Sequence, residues 1–269
     1  MGYETETLWL ALIAYLVAGV TAIFALIFKR SPQRTVLALM LLGLCLHALA
    51  IGLRWERLGH GPFITMYEIL SSNIWSLTFI FTLGYWRLRP VRPIAAVVMP
   101  VLFMMMGWLL LTSPGEGYLP ATYDSIWLYI HILLGKVFLG AVLIAVGLAL
   151  VILLRFIGVG GRFSAMPGNK SLDELAYRFM AIALIFDTLM IASGAIWAQD
   201  AWGRYWSWST LETWALLTWL FLGFAIHMRL TLQPSPAISS SLVILVFVMG
   251  FLTFFGLPFY STAPHKGIV

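Results

Sequence analysis

The sequence predicts an all-α polytopic membrane protein of about eight transmembrane helices with an external tryptophan-rich segment. Of its 269 residues, 61% are hydrophobic and only 10% are charged, whereas a soluble domain carries about 25% charged residues. The apolar residues form runs of roughly twenty, the length a helix needs to cross a bilayer. These observations exclude a water-soluble protein.

Eight spans are predicted, each mostly apolar and bounded by charged residues, proline or glycine. They cover residues 7–28, 35–53, 70–87, 93–112, 126–156, 177–198, 213–229 and 238–257. The fifth is long enough to extend past the bilayer on one side. Without internal repeats or low-complexity segments, we treat residues 1–269 as a single transmembrane domain.

The N-terminus, the cysteine count and the net charge exclude several classes of protein. The acidic N-terminus and the lack of a small-residue cleavage site predict no cleavable signal peptide. Cys45 is the lone cysteine, so the chain is neither a thiol oxidoreductase nor a c-type cytochrome. The net charge of +5 does not indicate nucleic-acid binding, because it follows from the distribution of cations among the loops.

That distribution predicts the orientation. One set of loops carries Lys29, Arg30, Arg34, Arg87, Arg89, Arg92, Arg155, Arg162, Lys170, Arg178 and Arg229. The opposite side carries only Arg54, Arg57, Arg204 and Lys266. Positively charged loops stay inside, so both termini and the tryptophan-rich segment are expected on the outer or periplasmic side.

The tryptophan-rich segment, WAQDAWGRYWSWSTLETW, runs from Trp197 to Trp214, and with Trp219 it defines a signature at residues 197–219. The signature, including Trp219, holds six of the twelve tryptophans of the chain. An interfacial aromatic belt is one interpretation, although belts are spread over all helices at both faces. A ligand platform is the other, and the crowding favours it.

The positions of the histidines indicate which ligand the tryptophans would bind. His60, His131 and His265 fall at the same predicted face as the tryptophans, while His227 lies near the inner end of span seven. Each alone is compatible with a packed or interfacial histidine. Imidazole, however, is a common axial ligand of haem iron. Tryptophans offer haem a flat apolar surface, and Arg204 offers a cation for its propionates.

Two ionisable residues lie inside predicted spans, where such groups are rare and often functional. They are Lys136 in span five and Asp187 in span six. We predict an interhelical ion pair between them. A contact between Lys136 and a haem propionate is the alternative.

The segment WGRYWSWSTLETW resembles the signature W-G-x-x-W-x-W-D-x-x-E-T-W of the haem-handling cytochrome c assembly proteins, which include the CcsA/ResC type, CcmC and CcmF. Ser209 stands where that family has aspartate. GHGPFITMYEIL is similar to the G-H-x-P-x-x-N-x-Y-E-S-L stretch of CcsA proteins, with Thr65 replacing asparagine. AIHMRL and FFGLPFYSTAPHKG resemble later family motifs, so the likeness runs from residue 54 to the C-terminus.

The resemblance implies two haem sites. An external haem would lie on Trp202, Trp206 and Trp208, its iron held by His131 and His265. An internal haem would use His227, with a second histidine from a separate CcsB/ResB-like subunit. His60 is a further candidate as a ligand, as a donor to the site, or as the loop anchor that the HGP turn favours.

The implied function is transport of haem b across a bacterial inner or plasma membrane, or a thylakoid equivalent, and presentation of reduced haem to apocytochrome c with a C-x-x-C-H motif. The chain would then be the CcsA-like half of a cytochrome c synthase, with haem lyase activity only beside its partner. The alternative is a non-catalytic, HemX-like haem-binding or regulatory protein. A small-solute transporter is disfavoured, because nothing resembles an inverted repeat with broken helices.

Overall fold

The structure, a computed structural model, describes residues 2–257 and confirms a helical membrane protein. Within those residues, the α-helices are α1 (Gly2–Ile27), α2 (Gln33–Leu58), α3 (Met66–Arg87), α4 (Ala95–Leu111), α5 (Ile126–Phe156), α6 (Asn169–Trp202), α7 (Thr210–Thr231) and α8 (Pro236–Phe251). Two short 3₁₀ turns cover Arg89–Val91 and Gly160–Phe163, and a π-helical turn covers Leu252–Gly256. Each predicted span coincides with one of the eight helices, and the largest difference is at the start of α6, which begins at Asn169 and not at residue 177.

Six of these helices are long and apolar enough to cross a membrane, namely α1, α2, α5, α6, α7 and α8 with its π-helical turn. The other two differ for separate reasons. At 17 residues, α4 is a shorter apolar helix. α3 carries a row of buried small polar residues, and some of their hydroxyls bond back to the helix, as Thr82 does to the Thr78 carbonyl at 2.7 Å.

The chain forms two compact units, the first comprising Met1–Glu116 and Leu153–Gly168. In this unit α1 packs against α2 and α4, and α3 packs against α2 and α4. Small residues allow α1 and α2 to approach closely, as in many membrane helix pairs. At Gly43, a Cβ atom would lie 2.5 Å from the buried Tyr15 ring, so the tyrosine occupies the space that glycine leaves.

One end of the first unit is fastened by a buried charge network. Arg54, only 4% exposed, donates from Nε to Glu68 Oε1 at 2.9 Å and from Nη1 to Glu4 Oε1 at 3.0 Å. Its Nη2 donates to the Gly115 carbonyl at 2.7 Å. The second oxygen of Glu68 accepts the backbone N–H groups of Ile64 and Thr65. The buried guanidinium of Arg54 thus links α1, α2 and α3, and carboxylates and a backbone carbonyl accept its hydrogen bonds.

The second unit comprises Gly117–Ile152 and Asn169–Val269. Here α6, α7 and α8 pack against one another. Near one end, Arg229 of α7 donates to Asp173 of α6 at 2.7 Å. Midway along the pair, the Trp219 indole donates to the Thr188 hydroxyl at 2.8 Å. At the other end, the loop of residues 203–209 connects α6 to α7 and carries the centre of the tryptophan-rich segment.

The predicted ion pair between Lys136 and Asp187 stays a prediction. Oδ2 of the buried Asp187 has no hydrogen-bond partner within residues 2–257. The prediction rests on approximate depth in the membrane. Depth follows from position along a helix, but which neighbour a side chain faces depends on the rotation of each helix about its axis.

Candidate functional site

The tryptophan-rich segment borders a cavity of about 210 Å³ in the second unit. Its walls come from the start of α5, the last turns of α6, the loop before α7, the first turns of α7 and the π-helical turn. The lining residues are His131, Met190, Ile191, Gly194, Ala195, Trp197, Ala198, Trp202, Tyr205, Trp206, Leu211, Glu212, Ala215, Thr253 and Phe254. The lining is therefore mainly apolar and aromatic, with one imidazole and one carboxylate.

His131 has a defined tautomer in this cavity. Its Nδ1 lies 2.8 Å from the Met190 carbonyl oxygen, and a carbonyl can only accept, so Nδ1 carries the hydrogen and Nε2 keeps its lone pair. The ring stacks on Trp197 with the centroids 6.3 Å apart and the planes at 16°. A histidine that ligates a metal through one nitrogen usually donates from the other in this way.

Trp197 is the packed base of the tryptophan cluster. It is buried, and its indole N–H donates to the Tyr123 carbonyl at 3.0 Å. The Trp202 ring meets it edge-on, with the centroids 5.0 Å apart. Aromatic pairs in this edge-to-face arrangement stabilise each other beyond simple burial. Trp197 therefore supports both His131 and Trp202.

The remaining tryptophans divide by position. Trp206 lines the cavity with Trp202, and its indole N–H is buried without a hydrogen-bond partner among residues 2–257. Trp208 lies outside the lining, 70% exposed, with its ring edge-on to Trp206 at 5.7 Å. Trp219 serves the packing of α6 on α7. One run of tryptophans in the sequence thus supplies a cavity wall, an exposed ring and a helix contact.

A capping box holds the loop that carries Trp206 and Trp208. Ser209 is the N-cap of α7, and its hydroxyl accepts the Glu212 N–H at 3.3 Å. Glu212 Oε2 accepts the N–H of Ser209 at 2.8 Å and both the N–H and the hydroxyl of Ser207, at 3.0 and 2.8 Å. Serine and aspartate are both strong N-caps, so Ser209 performs the capping that an aspartate at this position would perform.

The loop stores backbone strain. Gly203 has φ of 76° and Trp208 has φ of 58°. Glycine adopts this left-handed region readily, but for a bulky residue it is an outlier that costs about 1–3 kcal/mol. The N–H groups of Ser207 and Ser209 donate to Glu212, and these hydrogen bonds fix the backbone on both sides of Trp208. The Trp208 ring is exposed in this conformation.

The structure brings only some of the predicted residues together. His131, Trp202 and Trp206 share the cavity, and Trp208 and Arg204 lie on the adjacent loop, both exposed. His227 lies on an exposed side of α7, away from this cavity. His265 lies outside the described residues.

Two further histidines belong to the first unit. The half-buried His60 places its Nδ1 3.0 Å from the neighbouring Gly61 carbonyl, in the turn that leads to α3. His47 is fully buried, with its Nε2 2.9 Å from the Ser71 hydroxyl. His47 is therefore a packed core histidine.

Sequence reasoning missed several cavity residues. Met190 provides the carbonyl that orients His131, and Gly194 leaves room for the ring. Both lie on one face of α6 with Trp197 and Ala198, at spacings of three and four residues, which place side chains together on a helix. That spacing could have identified Met190 and Gly194 as cavity residues. No sequence pattern could have identified Thr253 and Phe254, because they reach the cavity from the π-helical turn after α8.

Comparisons with known proteins identify the family of this chain. The sequence model of the family "Cytochrome C assembly protein" matches residues 63–265. The "Cytochrome c biogenesis protein CcsA" of Chlamydomonas reinhardtii is 33% identical over 187 residues, which cover 66% of this chain and 52% of that protein. The chain therefore spans about half the length of that relative.

Two CcsA proteins from strains of Prochlorococcus marinus match more evenly. One is 28% identical over 96% of this chain and 94% of the relative, and the other is 31% identical over 68% of each. Among solved structures, "Cytochrome c Heme Lyase CcmF" superposes with a TM-score of 0.73 at 15% identity, covering 94% of this chain and 46% of that one. At that identity the likeness concerns the fold. Since the family match covers most of its length, this chain belongs to the cytochrome c assembly protein family, and within it to the CcsA type.

Proposed function

We propose that this chain transports haem b across a membrane and presents reduced haem for covalent attachment to apocytochrome c, as the CcsA-like half of a cytochrome c synthase. Its family gives it a role in cytochrome c biogenesis. The finer proposal rests chiefly on one observation. His131 keeps a lone pair on Nε2, at a cavity walled by tryptophans, while the Met190 carbonyl holds Nδ1.

The cavity suits haem as a substrate held at its mouth. Its volume of about 210 Å³ is below the roughly 300–1,000 Å³ of pockets that enclose drug-sized ligands. A flat macrocycle would therefore cover the opening. Trp202 and Trp206 offer apolar faces there, and the buried Trp206 N–H offers a hydrogen bond to a polar group of the substrate.

The histidines and the exposed loop complete the proposed external site. His131 and His265 are the proposed axial ligands, and the exposed Trp208 and Arg204 lie on the adjoining loop, where Arg204 would pair with a propionate. Two axial histidines hold the iron and influence its reduction potential. The chain's contribution is then to bind and orient the haem so that thiols of a C-x-x-C-H motif reach it, which is catalysis by positioning.

The proposed internal site uses His227 and a second chain. Leu217, Leu220, Phe224 and His227 are exposed at spacings of three and four residues, on one face of α7, so this face is available to lipid or to another subunit. A CcsB/ResB-like partner on this face would add the second histidine. With positively charged loops inside, we propose that His227 lies toward the cytoplasm and the tryptophan-rich loop toward the periplasm or its equivalent.

The first test is the visible spectrum of the purified, dithionite-reduced protein. We expect a Soret band with sharp α and β peaks in the wild type, and loss of these peaks in His131→Gly. Added imidazole should restore them, because it refills the space of the deleted side chain, and this recovery excludes misfolding as the cause. An unchanged spectrum in His131→Gly would remove His131 as a ligand.

A glycine substitution tests the orientation of His131. In Gly194→Ala the new Cβ would lie 2.7 Å from His131 Nδ1, so the ring must move and its bond to Met190 weaken. Loss of such an orienting bond lowers metal affinity by roughly tenfold or more, and we expect a similar loss of haem occupancy. Gly107→Ala in α4 is the matched control, because among the described residues no atom outside its own helix backbone lies within 4 Å of a Cβ there. Equal haem contents in the two variants would contradict the proposal.

Synthase activity is tested by reconstitution. Co-expression of this chain, a CcsB/ResB-like subunit and an apocytochrome c in a strain without its own assembly system should yield covalently bound haem. Haem binding without covalent product in the presence of that partner would instead indicate a non-catalytic haem-binding protein.

A further inference from the structure

The first unit contains a second cavity, of about 390 Å³. It lies where α1 ends and α2 begins, beside the turn between α3 and α4 and the 3₁₀ turn Gly160–Phe163. The lining consists of Ala22, Ala25, Leu26, Lys29, Arg30, Ser31, Pro32, Gln33, Val36, Tyr85, Arg92, Pro93, Arg162, Phe163, Ser164, Ala165 and Met166. One part of the lining is apolar and comes from α1 and α2, and the other part is polar and cationic.

The charges in this lining are all of one sign. Lys29, Arg30, Arg92 and Arg162 are its ionisable cations, and no aspartate or glutamate lines it. None occurs in the surrounding sequence either, since residues 7–55, 69–115 and 153–168 contain no acidic residue. Like charges around a shared space repel one another, so the cavity has an uncompensated positive potential.

Two of the cations are oriented by neutral acceptors. Arg92 donates from Nε to the Tyr85 carbonyl at 3.1 Å and from Nη1 to the Gln33 side-chain oxygen. Arg162 donates from Nη1 to the Ile27 carbonyl. These bonds fix the guanidinium groups at the cavity without neutralising them. Lys29 and Arg30 form no ion pair within residues 2–257.

We propose that this cavity binds the phosphate headgroup of an anionic phospholipid, with the start of an acyl chain against Ala22, Leu26 and Val36. The cations supply what a phosphate needs, and the apolar wall of α1 and α2 continues into the membrane-spanning part of those helices. Anionic lipids are concentrated in the cytoplasmic leaflet, and basic pockets between membrane helices on that side bind their headgroups. The predicted orientation puts this end of the unit in that leaflet. The site is separate from the haem proposal and does not depend on it.

Native mass spectrometry of the detergent-purified full chain tests the proposal. The probes are phosphatidylglycerol, zwitterionic phosphatidylcholine and inorganic phosphate. We expect the wild type to retain one phosphatidylglycerol, and to bind it at least tenfold more tightly than phosphatidylcholine. Each basic residue near an anionic lipid strengthens binding roughly fivefold, so the double variant Lys29→Gln, Arg30→Gln should bind phosphatidylglycerol roughly thirtyfold more weakly.

The matched control is the double variant Arg34→Gln, Arg89→Gln. It removes the same charge from neighbouring cations that do not line the cavity, and its affinity for phosphatidylglycerol should not change. If both double variants bind phosphatidylglycerol equally weakly, the lipid responds only to the overall surface charge, and the proposal is overturned. Inorganic phosphate binding as tightly as phosphatidylglycerol would overturn the lipid assignment in favour of a free-anion site. If the double variant Lys29→Gln, Arg30→Gln unfolds at a lower temperature than the wild type, the single variants Lys29→Gln and Arg30→Gln replace it, and unweakened phosphatidylglycerol binding in both overturns the proposal.

Discussion

The same local motif opens α3 in the first unit and α7 in the second, yet the two copies are used differently. Thr65 and Glu68 form one capping box, and Ser209 and Glu212 form the other. In each, the hydroxyl accepts the N–H of the glutamate three residues later, and the carboxylate accepts the N–H of the cap. What differs is the neighbour of each carboxylate.

Glu68 is 1% exposed and bound to Arg54, whose remaining donors are satisfied by Glu4 and by backbone carbonyls. Glu212 lines a cavity, and its described contacts are N–H and hydroxyl groups of its own loop. The first box locks three helices together. The second holds a strained tryptophan loop beside the cavity, where we propose that haem binds.

The largest expected effect is loss of the buried cation. Arg54→Ala leaves the buried Glu68 without its cation and leaves Glu4 with only its pair to Arg57, so the free energy of unfolding should fall by about 3–5 kcal/mol. Thermal unfolding in detergent, followed by tryptophan fluorescence, measures it. Arg204→Ala is the control, because that exposed arginine should contribute within about 0.5 kcal/mol. Equal midpoints for the two variants would show that the network does not stabilise the first unit.

A smaller but more local effect is expected from the second box. Glu212→Ala removes the acceptor of three loop donors, and we expect a loss of about 2 kcal/mol. Amide hydrogen exchange should rise in the peptide covering residues 203–212 while the rest of the protein is unchanged. Glu174→Ala, which breaks an exposed pair with Arg178, should leave that peptide as protected as in the wild type. Unchanged protection in Glu212→Ala would mean that other contacts hold the loop.

The cap itself allows a graded comparison. Ser209→Ala should cost about 1 kcal/mol, the usual value of a lost N-cap. Ser209→Asp should be neutral or slightly stabilising, because aspartate caps equally well and its charge favours a helix N-terminus. The same unfolding measurement checks both. A destabilised aspartate variant would show that serine is required here for a reason other than capping.

The smallest effect is expected at the rim of the first network. Glu116 pairs with Arg57, and both side chains are partly exposed. Glu116→Ala should therefore change stability by about 0–1 kcal/mol, and less at high salt. A loss as large as that of Arg54→Ala would mean that the rim and the buried part act as one unit.

Much of this architecture was predictable because it depends on local or cumulative properties. The eight helices follow from apolar runs and their boundaries, and the Glu212 and Glu68 boxes follow from the S/T-x-x-E spacing. The tryptophan-rich motif predicted the family, which the comparisons confirm. The motif does not indicate that Trp219 packs between helices while Trp206 lines a cavity.

By itself, then, the amino-acid sequence determined the membrane class, the helices, the family and the segment that carries the candidate site. The tertiary structure alone decided that Met190 holds His131 through its carbonyl, that Arg54 neutralises Glu68, and that four cations share one cavity. The physical reason is that helix formation depends on neighbours along the chain, whereas these contacts depend on how each helix is rotated toward another helix. That rotation is set by packing over the whole unit, which no short stretch of sequence contains.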